Sequence, residues 1–283
     1  VCAARFIENA EQCSLYRVHA VPDPIKLEEL GLDLRGVGLS LPKGVPQPIV
    51  FKRLLDELGQ RSNGWLYQQL ILRSMQQAVY TPKNQGHFGL GLERYMHFTS
   101  PIRRYPDLLV HRAIKAILRG DLSRLPGLDQ LEDFGERCSS LERRAESAGW
   151  TVEAWLKCDL LKHRTGDTFS GTIAGVTEFG LFVDIEGYFV QGLLHISDLG
   201  ADYFRFERAQ QCLVGERNGK RYGLGDRIQV LVAYVEPAQG KIDLRRVGGG
   251  AKPDGFKSNK GIKQSNKSAG KASKKHRRGR RSA

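Results

Sequence analysis

HFGLGLERYMHFTSPIRRYPDLLVHR, running from His87 to Arg112, decides how the chain is read. It sets paired glycines, two histidines and three aromatic residues ahead of a Ser-Pro helix start, and follows that start with an arginine pair. Ser100 can cap a helix through its hydroxyl, and Pro101 suits the first helical position, where the missing amide hydrogen would have had no partner. Arg103 and Arg104 then stand beside a helix N-terminus, whose free backbone N–H groups and positive dipole end favour an anion. The planar guanidinium fork matches phosphate oxygens. Pro106 complicates a single long helix, because proline in a helix interior costs about 3 kcal/mol. The spacing therefore predicts a short turn from Ser100 to Tyr105 and a longer helix from near Pro106 to about Leu118. Its buried side would carry Leu109, Ala113, Ile117 and either Ala116 or Val110. Composition alone leaves two roles open for the arginines: phosphate ligands, or surface charges and partners of Asp107 and Glu93.

This segment resembles the hallmark motif of the catalytic domain shared by ribonuclease II and ribonuclease R, hydrolytic exonucleases that shorten RNA from its 3′ end. Flanking pieces resemble the same domain: Cys2-Ala3-Ala4-Arg5-Phe6-Ile7-Glu8, Leu15-Tyr16-Arg17-Val18-His19, and Leu72-Arg73-Ser74-Met75 with Tyr80. So do Glu142-Arg143-Arg144-Ala145-Glu146 and Trp155-Leu156-Lys157-Cys158. The resemblance covers residues 1 to about 162, and the basic C-terminus with the Lys157-Cys158 neighbourhood points to the ribonuclease R branch. It implies that Arg103 and Arg104 hold and polarise a phosphate at the scissile end, a role suited to stabilising transition-state charge.

The resemblance also implies two-metal hydrolysis, with Mg2+ held by clustered carboxylates. In the family these come from closely spaced aspartates upstream of everything in this chain, and no such run occurs here. The nearest acidic group, Asp129, Glu132, Asp133 and Glu136, has helical spacing and reads as a solvated helix face beside Arg137. The metal ligands are accordingly expected outside this chain. Val1 stands where an initiator methionine would, and the sequence opens on a helix-like pattern. Both lead to the expectation of the C-terminal part of a longer protein.

From Gly166 to Val247 the pattern changes to short alternating strands separated by glycine turns. Expected strands are 168–173, 180–185, 191–195, 227–235 and 241–245, with an irregular polar insertion over 197–222. Five short strands in about 80 residues suggest a small closed barrel of the OB type. Gly166-Asp167, Thr177 to Val183, Gly192 to Ser197 and Leu224-Gly225-Asp226 resemble the RNA-binding barrel named after ribosomal protein S1. In such barrels exposed aromatics stack on bases, each worth about 1–3 kcal/mol. Phe179, Phe182 and His195 occupy the matching positions, although strand alternation also allows the two phenylalanines to be core residues. Arg227 and Arg245 are candidate phosphate contacts.

The fold class is thus α+β: a mainly helical C-terminal half of a ribonuclease II catalytic domain (1–163), a five-stranded all-β OB-fold barrel (164–247) and a disordered tail (248–283). Net charge resolves along the same divisions. Residues 1–163 carry 22 basic and 19 acidic side chains, residues 164–247 carry 10 and 11, and residues 248–283 carry 12 against Asp254 alone. Most of the net charge of +13 therefore lies in the tail, whose single aromatic and polar content cannot build a core. Lys274, Lys275, Arg277 and Arg278 should attract RNA phosphates without reading sequence.

No apolar run approaches the roughly 20 residues of a membrane span. Five cysteines at irregular positions form neither a disulfide framework nor a CxxC pair, and are expected to be reduced and mostly buried, favouring a cytoplasmic setting. His87, His97 and His111 lack the spacing of a zinc site, so no metal ligand is assigned. Gly86, Gly89 and Gly91 do not spell a dinucleotide fingerprint and should let backbone approach RNA or a neighbouring helix.

The resulting expectation is part of a 3′–5′ exoribonuclease that hydrolyses RNA, including structured RNA, to nucleoside 5′-monophosphates. Single-stranded 3′ ends would be its substrate, with the ribosome and transfer-messenger RNA as further partners. By itself this chain would bind RNA without cleaving it. The alternative is a non-enzymatic RNA-binding or ribosome-associated protein, which would carry the same RNA-binding features.

Overall fold

The structure, a computed structural model, describes residues 1–248 apart from Lys43 and Val45. The expected disordered tail, with Lys274, Lys275, Arg277 and Arg278, lies beyond Gly248 and outside the described residues. The rest begins with short helices: α1 (Cys2–Asn9), α2 (Pro24–Arg35), α3 (Pro48–Gly59) and α4 (Gly64–Ser74). Local chemistry sets the start of α2, where the Asp23 carboxylate accepts the N–H of Ile25 and Pro24 opens the first turn. Leu30, Leu34, Phe51, Leu54, Leu58 and Ile71 from α2, α3 and α4 close one core, against which Phe88 packs edge-on to Phe51. Each such side chain contributes about 1.5–3 kcal/mol when fully buried.

Two strands, β1 (Tyr16–Val18) and β2 (Val79–Thr81), pair antiparallel. The helix α5 (Tyr105–Arg119) packs on α1 through Ala4, Ile7, Val110 and Ala113. It follows the expected plan closely, with Pro106 in the first turn and Leu109, Val110, Ala113 and Ala116 buried. Ser100, however, does not cap it. Arg104 takes the cap position, because Ser100 to Arg104 close into a turn of their own.

The long helix α6 (Leu128–Leu161) lies against β2 at one close contact. A Cβ on Gly135 would stand 2.6 Å from the Tyr80 carbonyl oxygen, so the strand can approach the helix only because this residue is glycine. Ser139 then accepts the Tyr80 N–H at 2.9 Å and donates to the Gly135 carbonyl at 2.7 Å. The acidic run on α6 is a solvent-exposed face as expected, though Glu132 pairs with Lys83 at 2.9 Å rather than with Arg137.

The β-rich part comprises β3 (Thr168–Thr177), β4 (Gly180–Ile185), β5 (Val190–His195), β6 (Phe204–Glu207), β7 (Cys212–Gly215), β8 (Arg221–Gly223), β9 (Arg227–Glu236) and β10 (Lys241–Arg246). Five of these close into a barrel in the order β10-β5-β4-β3-β9, as the strand pattern predicts. Ile173, Leu181, Val183, Leu194, Val230, Val232 and Leu244 fill it, and Cys158 and Leu161 at the end of α6 share that core. The insertion is not irregular. β6, β7 and β8 form an antiparallel three-stranded sheet whose Phe204, Leu213 and Tyr222 reach the barrel core. Its strands are three or four residues each, too short to give a clear alternation. The turn between β6 and β7 meets α2, where buried Gln211 donates to Asp33 at 2.7 Å and Arg208 pairs with Glu29 at 3.2 Å. All five cysteines are free thiols, but only Cys158 and Cys212 are buried, and Cys2 and Cys13 are exposed.

Candidate RNA-contacting sites

Arg103 and Arg104 are neighbours with different duties. The Arg104 guanidinium lies 2.9 Å from Oδ2 of Asp107, a carboxylate with no exposure to solvent, and the same oxygen accepts the Ser100 N–H at 2.8 Å. The alternative of an arginine partnered by Asp107 therefore holds for Arg104. Glu93 lies near Arg94 instead, at 3.9 Å. The Arg103 side chain is exposed and has no ion-pair or hydrogen-bond partner among the described residues. Ile102 beside it is fully exposed. The turn thus offers one unpaired guanidinium to solvent at the entrance of α5, and holds the other.

Behind this turn stands a tier of rings that sequence spacing could not have assembled. His19 and His87 stack at 5.1 Å, His87 meets Tyr95 edge-on at 5.5 Å, Tyr95 meets His97 at 5.6 Å, and His97 meets Tyr80 at 5.5 Å. Arg17 lies over the Tyr80 ring at 4.5 Å and grips Glu142 through two bonds of 2.5 and 3.1 Å. Arg17, His19, Tyr80 and Glu142 come from three of the motif-like segments, which converge here. The loop that carries His87 runs beside β1: His19 donates its N–H to Gly86, Phe88 donates to His19, and Arg17 donates to Tyr95. Gly86 and Gly91 both take a positive φ in it, which favours glycine, while Gly91 lies only at ordinary contact distance from Pro48 at the start of α3.

Burial, and then the charges of Arg104 and Arg17, push His97 down to about 4. Burial lowers His19 and His87 as well, and pushes Tyr80 up to about 12. Tyr80 therefore keeps its proton, and its hydroxyl is hydrogen-bonded to Nδ1 of His97 at 2.9 Å. Nδ1 of His19 and of His87 accept backbone N–H groups of Gly89 and Leu90. Among the described residues no group of three or more His, Cys, Asp or Glu could hold a metal ion.

On the barrel, strand alternation sends Leu181, Val183 and Ile185 inward and leaves Phe182 on the outer surface. Phe182 faces Leu193 across β4 and β5, and Phe179, half exposed in the turn before β4, meets it edge-on at 6.0 Å. His195 is exposed opposite Gly180, and its Nδ1 lies 2.8 Å from the Ser197 hydroxyl. On β10, Asp243 pairs with Leu193, and Arg245 lies two residues further along on the same outer face, toward His195. Four of the five barrel candidates thus share one face. Arg227 does not join them: it stands across β3 opposite Thr172 and pairs with Glu186 at 3.1 Å.

Two family models match the chain, one in each part. The RNB domain family matches residues 1–120, and the S1 RNA binding domain family matches residues 162–246. Ribonuclease R of Escherichia coli strain K12 is 42% identical over 255 residues, covering 86% of this chain and 31% of the relative. The apo form of Mycoplasma genitalium RNase R superposes with a TM-score of 0.77 at 27% identity, covering 87% of this chain and 39% of that one. The same enzyme in complex with ribose-methylated single-stranded RNA gives the same values. The chain spans about a third of the length of the curated relatives it matches. With an RNB match that takes in the Arg103 turn and α5 and an S1 match behind it, the chain belongs to the ribonuclease R family.

Proposed function

We propose that this chain supplies the RNA-holding part of a ribonuclease R-type 3′–5′ exoribonuclease of the cytoplasm. Single-stranded RNA crosses the barrel face of Phe179, Phe182, His195 and Arg245, and its 3′ end reaches the turn at Arg103. There the guanidinium holds a phosphate at the scissile end, and the whole protein releases nucleoside 5′-monophosphates from single-stranded 3′ ends and from structured RNA. The observation that carries this reading is the exposed, unpaired Arg103 at the entrance of α5, next to an arginine already neutralised by Asp107. An anion there meets an exposed guanidinium fork and a helix N-terminus together.

Magnesium, which the family resemblance implies, needs clustered carboxylates. The described residues do not fit it, so no step is assigned to a metal on this chain. Incubating the 283-residue chain with end-labelled single-stranded RNA and magnesium tests the assignment: the RNA is expected to be bound and to stay intact. Release of mononucleotides would show that the chemistry resides here after all, and failure to bind RNA would remove the reading altogether.

A further inference from the structure

We propose that Asp107 is a positioning residue that sets where Arg103 points, an inference that rests on the reading of Arg103 as a phosphate ligand. Asp107 lies in the first turn of α5 and is fully buried. Its Oδ2 reaches back to both ends of the preceding turn, accepting the Ser100 N–H at 2.8 Å and the Arg104 guanidinium at 2.9 Å. The Ser100 carbonyl closes the same turn from the other side, accepting the N–H groups of Arg103 at 3.2 Å and Arg104 at 3.0 Å. Arg103 sits inside this closed segment, and its side chain has no hydrogen bond or ion pair among the described residues, so its direction is inherited from the backbone that Asp107 fastens.

The chemistry of the pair supports a specific job rather than general stability. Oδ1 of Asp107 and Nε of Arg104 are both buried without a hydrogen-bond partner. A buried ion pair with unsatisfied atoms is a poor way to stabilise a fold, and an apolar pair of similar volume would do as well or better. What an apolar pair cannot do is hold a backbone N–H seven residues upstream and a guanidinium at the helix cap with one oxygen. Through Arg104, Asp107 also removes one of two adjacent cations from competition for the phosphate. A single, directed guanidinium remains.

A double-mutant cycle on RNA affinity of the full 283-residue chain tests this, using a short single-stranded RNA labelled at its 5′ end. Arg103→Ala is expected to weaken binding about tenfold, the size of one charge-assisted contact. Asp107→Asn, which keeps the shape and the Ser100 contact but loses the charge that holds Arg104, is expected to weaken it about three- to fivefold. In the Arg103→Ala background Asp107→Asn should add nothing, a coupling that a merely structural role would not produce. An Asp107→Asn penalty that persists in full in that background, or wild-type binding by Asp107→Asn alone, overturns the proposal while leaving Arg103 in place. If Arg103→Ala itself binds as wild type, the underlying reading fails and the proposal with it. Should Asp107→Asn not fold, Arg104→Met breaks the same pair and is read in the same cycle.

Discussion

The Tyr80 hydroxyl is hydrogen-bonded to Nδ1 of His97 across 2.9 Å, tying β2 to the segment that leads into the Arg103 turn. The two rings meet edge-on, Arg17 lies over the Tyr80 ring, and Glu142 on α6 anchors Arg17. The turn is therefore held from behind by a strand, a helix and a neutral imidazole, and from within by Asp107.

Stability should rise with pH between about 4 and 6.5. Burial, then Arg104 and Arg17, hold His97 at about 4, against an unfolded histidine near 6.5. The unfolded chain binds the extra proton in that window, so the contribution is whole above pH 6.5 and is lost as pH falls through about 4. His19 and His87, also lowered first by burial, act with the same sign. Denaturant unfolding at pH 7 and pH 5 should show a loss of about 1–2 kcal/mol from His97, absent in His97→Gln. An equal pH dependence in the variant would contradict the assignment.

Gly135→Ala should destabilise the chain by about 2–3 kcal/mol, since the new methyl group would meet the Tyr80 carbonyl at 2.6 Å and push β2 off α6. Gly149→Ala, on the same helix with open space around it, serves as the control and should be neutral or slightly stabilising. Equal melting temperatures for the two variants would show that the close contact is not required.

Phe179→Ala and Phe182→Ala should each weaken single-stranded RNA binding by about 1–3 kcal/mol, as expected for a lost stacking surface. Phe179 is half exposed and lies outside the barrel core, so its removal should leave the melting temperature unchanged. A fall in stability with unchanged RNA affinity would return it to a packing role.

Arg245→Ala should cost more RNA affinity than Arg227→Ala. Arg245 shares the outer face with Phe182 and His195, whereas Arg227 stands across β3 and is paired with Glu186. The salt dependence of binding should drop by about one ion for Arg245→Ala and change little for Arg227→Ala. The reverse order would place the RNA path on the other side of the barrel.

The sequence by itself determined the α+β order, the start of α5 within one residue, and all five barrel strands. These depend on local rules: proline in the first turn at Pro106, alternation in β4, and glycine turns between strands. Resemblance to the S1-type barrel singled out Phe179, Phe182, His195, Arg227 and Arg245 as candidates, while alternation alone left the two phenylalanines open between core and surface; the fold puts Phe182 on the outer side of β4. Only the tertiary structure decided which arginine is free. Arg103 and Arg104 are indistinguishable in composition, and their roles diverge because a helix turn brings a buried Asp107 within 2.9 Å of one and not the other. The ring tier joining His19, Tyr80, His87, Tyr95 and His97 was likewise invisible, since its members come from β1, β2 and the loop beside them and meet only when those strands pair. The insertion of β6 to β8 escaped for a third reason: strands of three or four residues are specified by the core they reach, and that core exists only after folding.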